Sequence, residues 1–308
     1  MRIIRSSTLS VLISLMPVGG FAAEPDVQNL DHDGRTRTYI LHLPKSHTKG
    51  RPVPLVVVLH GMGANGAITA ALTQFDSVAD KNGFAAAYPD GIGKIWNYGI
   101  ERPAGKVLKR ERGADDVGFL TALIDELVRD GIVDKRRVYV TGISNGAYMS
   151  NRLGWDAADR IAAIAPVSGT MAKFAAEKIK APRPMPVLYI HGTQDKIVGF
   201  DGVDLFTKRA FSLSADEQVR WWAKQNGCDL SAKIEQLPDK ADDETTVKRH
   251  TFSAKPGGAP VVFYEVIGGG HTWPGGSLQP EVLLGKTSRD FSASEVIWEF
   301  FSRHSLPE

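Results

Sequence analysis

Residues Pro54 to Leu59, PLVVVL, form an unbroken apolar and largely β-branched run that stops at the glycine-rich stretch His60-Gly61-Met62-Gly63. A run of strand length with no polar alternation has to be covered on both faces, which a sheet sandwiched between helices provides. The same signature recurs at Phe84 to Tyr88, Ile161 to Val167 and Val187 to Ile190, with a shorter strand at Arg137 to Thr141 and an opening β-like stretch at Thr36 to Leu43. Helical patterns lie between these runs, at Ile68 to Lys81, Asp116 to Arg129, Ala215 to Gln225 and Ala293 to Ser302. The second places Val117, Leu120, Leu123, Ile124, Leu127 and Val128 on one face. Strands alternating with helices predict an α/β fold, a mostly parallel central sheet with helices on both faces. No Pro/Ser/Thr linker and no internal repeat interrupts the pattern, so a single domain is expected.

Composition narrows the functional classes. The chain has 308 residues, 43% hydrophobic and 23% charged, with 37 basic and 35 acidic side chains. So even a balance leaves no electrostatic footprint for nucleic acid. One cysteine, Cys228, excludes an internal disulfide and any structural zinc site that needs two thiolates. It follows the Trp221/Trp222 helix and is expected as a buried or half-buried free thiol.

The N-terminus is a different kind of sequence. Arg2 and Arg5 precede an apolar stretch from about Leu9 to Val18, then small residues lead to Glu24. This is the layout of a secretory signal peptide over residues 1–23. The apolar stretch is too short for a bilayer span, which needs about 20 residues. The expected product is a mature domain, residues 24–308, exported as a secreted (extracellular or periplasmic) protein without membrane attachment after cleavage. Its removal takes away two basic residues and no acidic one, leaving 35 of each sign. Two segments read as insertions. Ile92 to Gly113 carries six basic residues after a strand end, where ligand loops commonly sit. Pro238 to Pro260 is polar and reads as a long connection between Ile234 and Val261.

Gly142-Ile-Ser144-Asn-Gly146 directly follows the strand ending at Thr141 and directly precedes a helical stretch, Ala147 to Trp155. G-x-S-x-G between strand and helix holds its serine on a strained turn, where side chains two positions away would collide with the strand or helix. Ser144 is therefore the candidate nucleophile. A serine hydroxyl needs a base, and the base an orienting acid. Four histidines follow it. His271, in Gly268-Gly-Gly-His-Thr-Trp-Pro-Gly-Gly276, ends an apolar run in a glycine-rich loop and is the candidate base. His250 and His304 read as solvated. Asp195, after the strand Val187 to Ile190, is the candidate acid, with Asp201 and Asp204 as rivals; His191 reads as structural and hydrogen-bonded. An oxyanion also needs preorganised amides. The backbone N–H groups of Asn145 and Met62 are placed for this. Trp96 and Trp273 are candidate substrate contacts, and Asp116, opening a helix, a capping or hydrogen-bonding residue.

The stretches LHGMGAN, GISNGAYMS, HGTQDKIV and GGGHTWPGG, with Gly113-Ala-Asp-Asp-Val-Gly-Phe-Leu120, resemble the secreted esterase family of polyhydroxybutyrate depolymerases and feruloyl or acetylxylan esterases. The resemblance runs from about Thr36 to Phe301. It implies the α/β-hydrolase fold and a serine esterase with nucleophile Ser144, acid Asp195, base His271 and an oxyanion amide at Met62, where family members often carry Cys. It also implies ester substrates: soluble oligomeric hydroxyalkanoate, feruloyl or acetyl esters. Two other readings compete. A serine peptidase of the same fold usually carries an N-terminal propeller, and barely a dozen residues separate Glu24 from the first expected strand. A noncatalytic binding protein on this scaffold would usually lack a triad member. No metal and no organic cofactor is implied, and the expected partner is a small or oligomeric ester.

Overall fold

The computed structural model describes residues 26–99, 114–203 and 210–308. The expected signal peptide, most of the basic insertion and Asp204 lie outside the described residues. Ten strands form one sheet. In chain order they are β1 (Val27–His32), β2 (Arg35–His42), β3 (Val53–Leu59), β4 (Ala85–Pro89), β5 (Val133–Ile143), β6 (Ala163–Val167), β7 (Val187–Gly192), β8 (Lys233–Gln236), β9 (Thr246–Phe252) and β10 (Val261–Ile267). Their spatial order is β1-β2-β4-β3-β5-β6-β7-β10-β9-β8. The six central strands from β4 to β10 are parallel, and the pairs at both margins are antiparallel.

The helices are α1 (Gly66–Thr73), α2 (Phe75–Asn82), α3 (Asp116–Arg129), α4 (Asn145–Asp156), α5 (Lys173–Lys178), α6 (Ala215–Gln225), α7 (Glu281–Leu284) and α8 (Ala293–Phe301). The alternation of β3 divides the core in two. Leu55, Val57 and Leu59 face a layer built with Phe119, Leu123 and Leu127 of α3, Met149 and Leu153 of α4 and Trp222 of α6. Val56 and Val58 face the opposite layer, with Phe75 and Val78 of α2 and Ile297 and Phe301 of α8. This is why PLVVVL shows no polar face.

Three sequence expectations change. The helix expected over Ile68 to Lys81 is two helices, because Gln74 takes a left-handed conformation (φ 56°) between them. The polar stretch Pro238 to Pro260 holds β9, paired with both β8 and β10, rather than one long connection. A strand, β1, precedes the expected first strand, joined to β2 through Asp33 (φ 50°) and Gly34 (φ 68°), a two-residue turn of the kind Asp-Gly favours. Of the two roles expected for Asp116, hydrogen bonding holds and capping does not: Asp115 caps α3, accepting from Gly118 N at 2.9 Å. Asp116 is buried, accepting from Arg37 Nη2 and the Asn97 amide, each at 2.7 Å. Burial pushes its carboxyl above the usual range against the pull of those donors. Cys228 is buried and unbridged, as its position suggests.

Candidate active site

Parallel neighbours end on the same edge of a sheet, so the loops after β3, β5, β6, β7 and β10 meet at one rim. Ser144 sits between β5 and α4 with φ 58° and ψ −119°, a conformation rare for a residue with a side chain. Close contacts on every side hold it there. A Cβ on Gly142 would lie 2.7 Å from Leu59 O, one on Gly146 would collide with that same carbonyl, and one on Gly169 would lie 2.6 Å from Ser144 O. The Ser144 amide donates to Val167 O at 3.0 Å. Its hydroxyl caps nothing, although Ser144 occupies the N-cap position of α4. The Oγ is therefore left over the helix N-terminus, where the macrodipole favours negative charge.

Asp195 and His271 are brought together by two loops packed backbone to backbone. Gln194 N donates to Gly269 O at 2.8 Å, Gly268 N donates to Thr193 Oγ1 at 3.0 Å, and a Cβ on Gly192 would collide with Gly269 O. The glycines of the GGGH stretch are thus the contact surface for the acid-bearing loop. Asp195 Oδ2 lies 2.8 Å from His271 Nδ1, while Oδ1 accepts the amides of Ile197 and Val198 at 2.9 Å each. The carboxylate is buried, which by itself raises its pKa. The positive potential of His271 and hydrogen bonds from both neighbouring histidines outweigh this and hold it well below the usual carboxylate range.

The second of those histidines is His191, fully buried on β7, whose Nε2 stands 2.8 Å from Val198 O and 3.2 Å from Asp195 Oδ2. An ionised Asp195 only accepts, so both His191 Nε2 and His271 Nδ1 carry protons toward it. Tyr189 then donates its hydroxyl to the remaining nitrogen, His191 Nδ1. The structural reading of His191 holds, and its contact with the acid is what sequence reasoning missed. The histidine three residues before the Gln-Asp step was the available signal. Of the rival acids, Asp201 is exposed and accepts from Val203 N within its own turn. His250 pairs with Glu265 at 2.9 Å across β9 and β10, within the strands rather than in a rim loop.

Ser144 Oγ and His271 are not hydrogen-bonded to each other here; their loops are linked through Val167-Ser168, where Val167 O accepts the Ser144 amide at 3.0 Å and the Ser168 hydroxyl donates to Thr272 O at 3.2 Å. Nucleophile and base commonly close up only when substrate is bound. Beside Ser144 runs the loop after β3: a Cβ on Gly61 would touch Ser144 Cβ at 3.4 Å. Gly63 N is taken by Lys94 O at 2.8 Å, whereas among the described residues the amides of Met62 and Asn145 have no acceptor. The Met62 side chain is half exposed, 51%.

The tryptophans correct the sequence reading. Trp96 is 1% exposed, with its ring 4.8 Å from that of His60 and its Nε1 donating to His60 O at 3.0 Å. Trp273 is also 1% exposed, packed edge-on against Phe75, with Nε1 donating to Ser294 Oγ. Neither ring presents a face to a substrate, because each is enclosed in the core by the loop that carries it.

A serine on a strand–helix elbow after β5, a buried acid and a paired histidine from the neighbouring ends of β7 and β10, and two unpartnered amides on a parallel sheet define the architecture of an α/β-hydrolase esterase. The comparisons agree. Residues 37–185 match the family model described as Esterase PHB depolymerase. The chain is 33% identical to "Putative esterase NocK" of Nocardia uniformis subsp. tsuyamanensis over 87% of this chain and 79% of that protein. It is 29% identical to Feruloyl esterase B of Piromyces equi over 88% of this chain and 46% of that longer protein. In fold it is similar to the solved acetyl xylan esterase from Aspergillus awamori, with a TM-score of 0.59 at 16% identity, covering 90% of this chain and 99% of that one. The chain belongs to the PHB-depolymerase-type esterase family and is a carboxylic ester hydrolase.

Proposed function

We propose that this esterase works through an acyl-enzyme formed on Ser144. Ser144 Oγ attacks the ester carbonyl carbon and its proton passes to His271 Nε2, the nitrogen turned away from Asp195. The carbonyl oxygen becomes an oxyanion, received by the free amides of Met62 and Asn145. The ester C–O bond then breaks, and His271 returns the proton to the departing alcohol. Water repeats the sequence: His271 removes its proton, the acyl carbon transfers to the hydroxide oxygen, and Ser144 leaves with the proton restored. The observation that carries this reading is the 2.8 Å pairing of His271 Nδ1 with a buried, ionised Asp195 at the rim that holds Ser144. Asp195 fixes the tautomer in which Nε2 has a free lone pair.

The substrates fitting this reading are soluble oligomeric hydroxyalkanoate, feruloyl or acetyl esters, by analogy with the feruloyl esterase and with a bifunctional acetylxylan esterase/xylanase of Neocallimastix patriciarum among the relatives. Residues 1–23 act as an export signal and residues 24–308 as one catalytic domain. No helix among the described residues is long and apolar enough to cross a membrane. The test is Ser144→Ala assayed on p-nitrophenyl acetate and on a panel of methyl ferulate, acetylated xylan and hydroxybutyrate oligomers. Turnover of every ester disappears while the fold persists; an active variant would refute the nucleophile. Absence of labelling of the native protein by a fluorophosphonate would do the same.

A further inference from the structure

The two amides proposed to receive the oxyanion come from segments far apart in the chain, Met62 after β3 and Asn145 at the start of α4. Their relative position decides whether both can reach one oxygen, since such donors work only at about 2.7 to 3.1 Å from it. Neither backbone bonds to the other. What connects them is a set of side-chain contacts that the reaction chemistry itself does not use.

The Asn145 side chain clasps one residue from both sides: its Oδ1 accepts Trp96 N at 2.6 Å and its Nδ2 donates to Trp96 O at 3.3 Å. Trp96 in turn donates Nε1 to His60 O at 3.0 Å and lies against the His60 ring. His60 spans its own turn. Its Nε2 accepts Gly91 N at 2.9 Å, which leaves the proton on Nδ1, and Nδ1 donates to Gly61 O at 2.8 Å. With Gly61 O held on one side and Gly63 N held by Lys94 O on the other, the peptide N–H of Met62 is fixed in direction while remaining free. The route Met62–Gly61–His60–Trp96–Asn145 is thus continuous, and the three side chains that carry it are buried, with His60 at 0%, Trp96 at 1% and Asn145 at 7% exposure.

We infer that His60, Trp96 and the Asn145 side chain form a brace that sets the two oxyanion amides in register with each other. They are positioning residues: none touches the substrate. Trp96 thereby influences the reaction from inside the protein.

This inference rests on the acyl-enzyme reading above, and the experiment separates the two. Trp96→Phe keeps an aromatic ring against His60 but removes the Nε1–H together with part of the buried indole; Asn145→Ala removes both contacts to the Trp96 main chain. Each is assayed for kcat and KM on p-nitrophenyl acetate and for inhibition by an aryl trifluoromethyl ketone, whose tetrahedral adduct with a serine carries the oxyanion. Small misplacements of catalytic groups cost up to about 100-fold, so kcat falls by about 10- to 100-fold in each variant with KM within about twofold. The ketone Ki rises by the same factor as kcat/KM falls, and the double variant is no worse than about the larger single effect, because the contacts lie in series. Unchanged kcat and Ki would overturn the brace, as would a raised KM at constant kcat, the mark of a substrate contact. Should Trp96→Phe fail to fold, Asn145→Ala carries the same readouts. A native enzyme that hydrolyses the ester but ignores the ketone would instead refute the covalent serine reading; a native enzyme that binds it, with variants unaffected, refutes only the brace.

Discussion

His191 Nε2 and His271 Nδ1 converge on the same oxygen, Asp195 Oδ2, at 3.2 and 2.8 Å. One carboxylate oxygen thus receives a buried structural histidine and the proposed catalytic one, while its twin is filled by two backbone amides. Every acceptor direction of Asp195 is occupied, which fixes its plane and through it the imidazole of His271. The acid is held from behind by Tyr189 and His191, residues of the same strand that delivers it.

Asp195→Asn tests this directly. An amide there offers an N–H where His271 needs an acceptor, so the imidazole is driven to the wrong tautomer. The expected loss in kcat is about 10³- to 10⁴-fold, as for triad acids generally, with KM changed little. Steady-state kinetics on p-nitrophenyl acetate measures it, and a loss under tenfold would rule Asp195 out as the triad acid.

The glycines around Ser144 are not equivalent. Gly146→Ala forces a methyl into the Leu59 carbonyl, and neither the strand nor the elbow has room to yield. More than about 4 kcal/mol of destabilisation is expected, enough to lose soluble folded protein. Gly61→Ala meets Ser144 Cβ at 3.4 Å, an ordinary contact. That variant should fold with a near-native urea midpoint, its cost appearing in turnover. Circular dichroism and urea unfolding of the pair distinguish these outcomes.

Arg37 and Asp116 are 3% and 1% exposed and joined at 2.7 Å, with the guanidinium 3.9 Å over the Phe119 ring. Arg37→Met strands the carboxylate among apolar neighbours, a change that costs about 3 to 5 kcal/mol. Arg37→Met/Asp116→Leu, which removes both charges, should recover part of that loss even though the Asn97 amide then lacks its acceptor. Urea unfolding of the two variants gives the comparison.

His304, packed at 4.7 Å against the Phe300 ring, has its pKa lowered to about 4 by burial and by the neighbouring Arg303 charge. The unfolded chain protonates near pH 6.5, the folded one only near 4, so between these values the unfolded state binds more protons. Stability is therefore complete above about pH 6.5 and declines as pH falls toward 4, by about 2 kcal/mol once partial exposure is allowed for. His304→Gln, which does not titrate, should flatten that part of the profile. Thermal unfolding at pH 7, 6, 5 and 4.5 follows it, and an unchanged slope would exclude His304 as the source.

That Ser144, Asp195, His271 and the Met62 loop stand at strand ends was legible because their local requirements are severe. An elbow needs Gly142 and Gly146, and a histidine at the rim needs the glycines that let its loop lie on Gly192. The central strands were legible for the same reason: burial on both faces leaves a sequence such as PLVVVL no freedom. At the margins the pattern thins. β1 alternates exposed and half-buried residues, and β9, with Lys248, Arg249 and His250, sits second from the sheet edge, so neither has a continuous apolar run to announce it.

By itself the sequence determined which residues could do the chemistry and which runs had to be interior, since both are dictated by bonding and burial at the residue itself. Only the tertiary structure decided which way an aromatic in a loop would turn. Trp96 reads identically whether it faces substrate or core. Its inward rotation is set by His60 O and the Asn145 amide, partners 36 and 49 residues distant that no local pattern can supply. The sharing of Asp195 between two histidines has the same origin. It exists because β7 and β10 are parallel neighbours in space, although 68 residues separate the end of one from the start of the other.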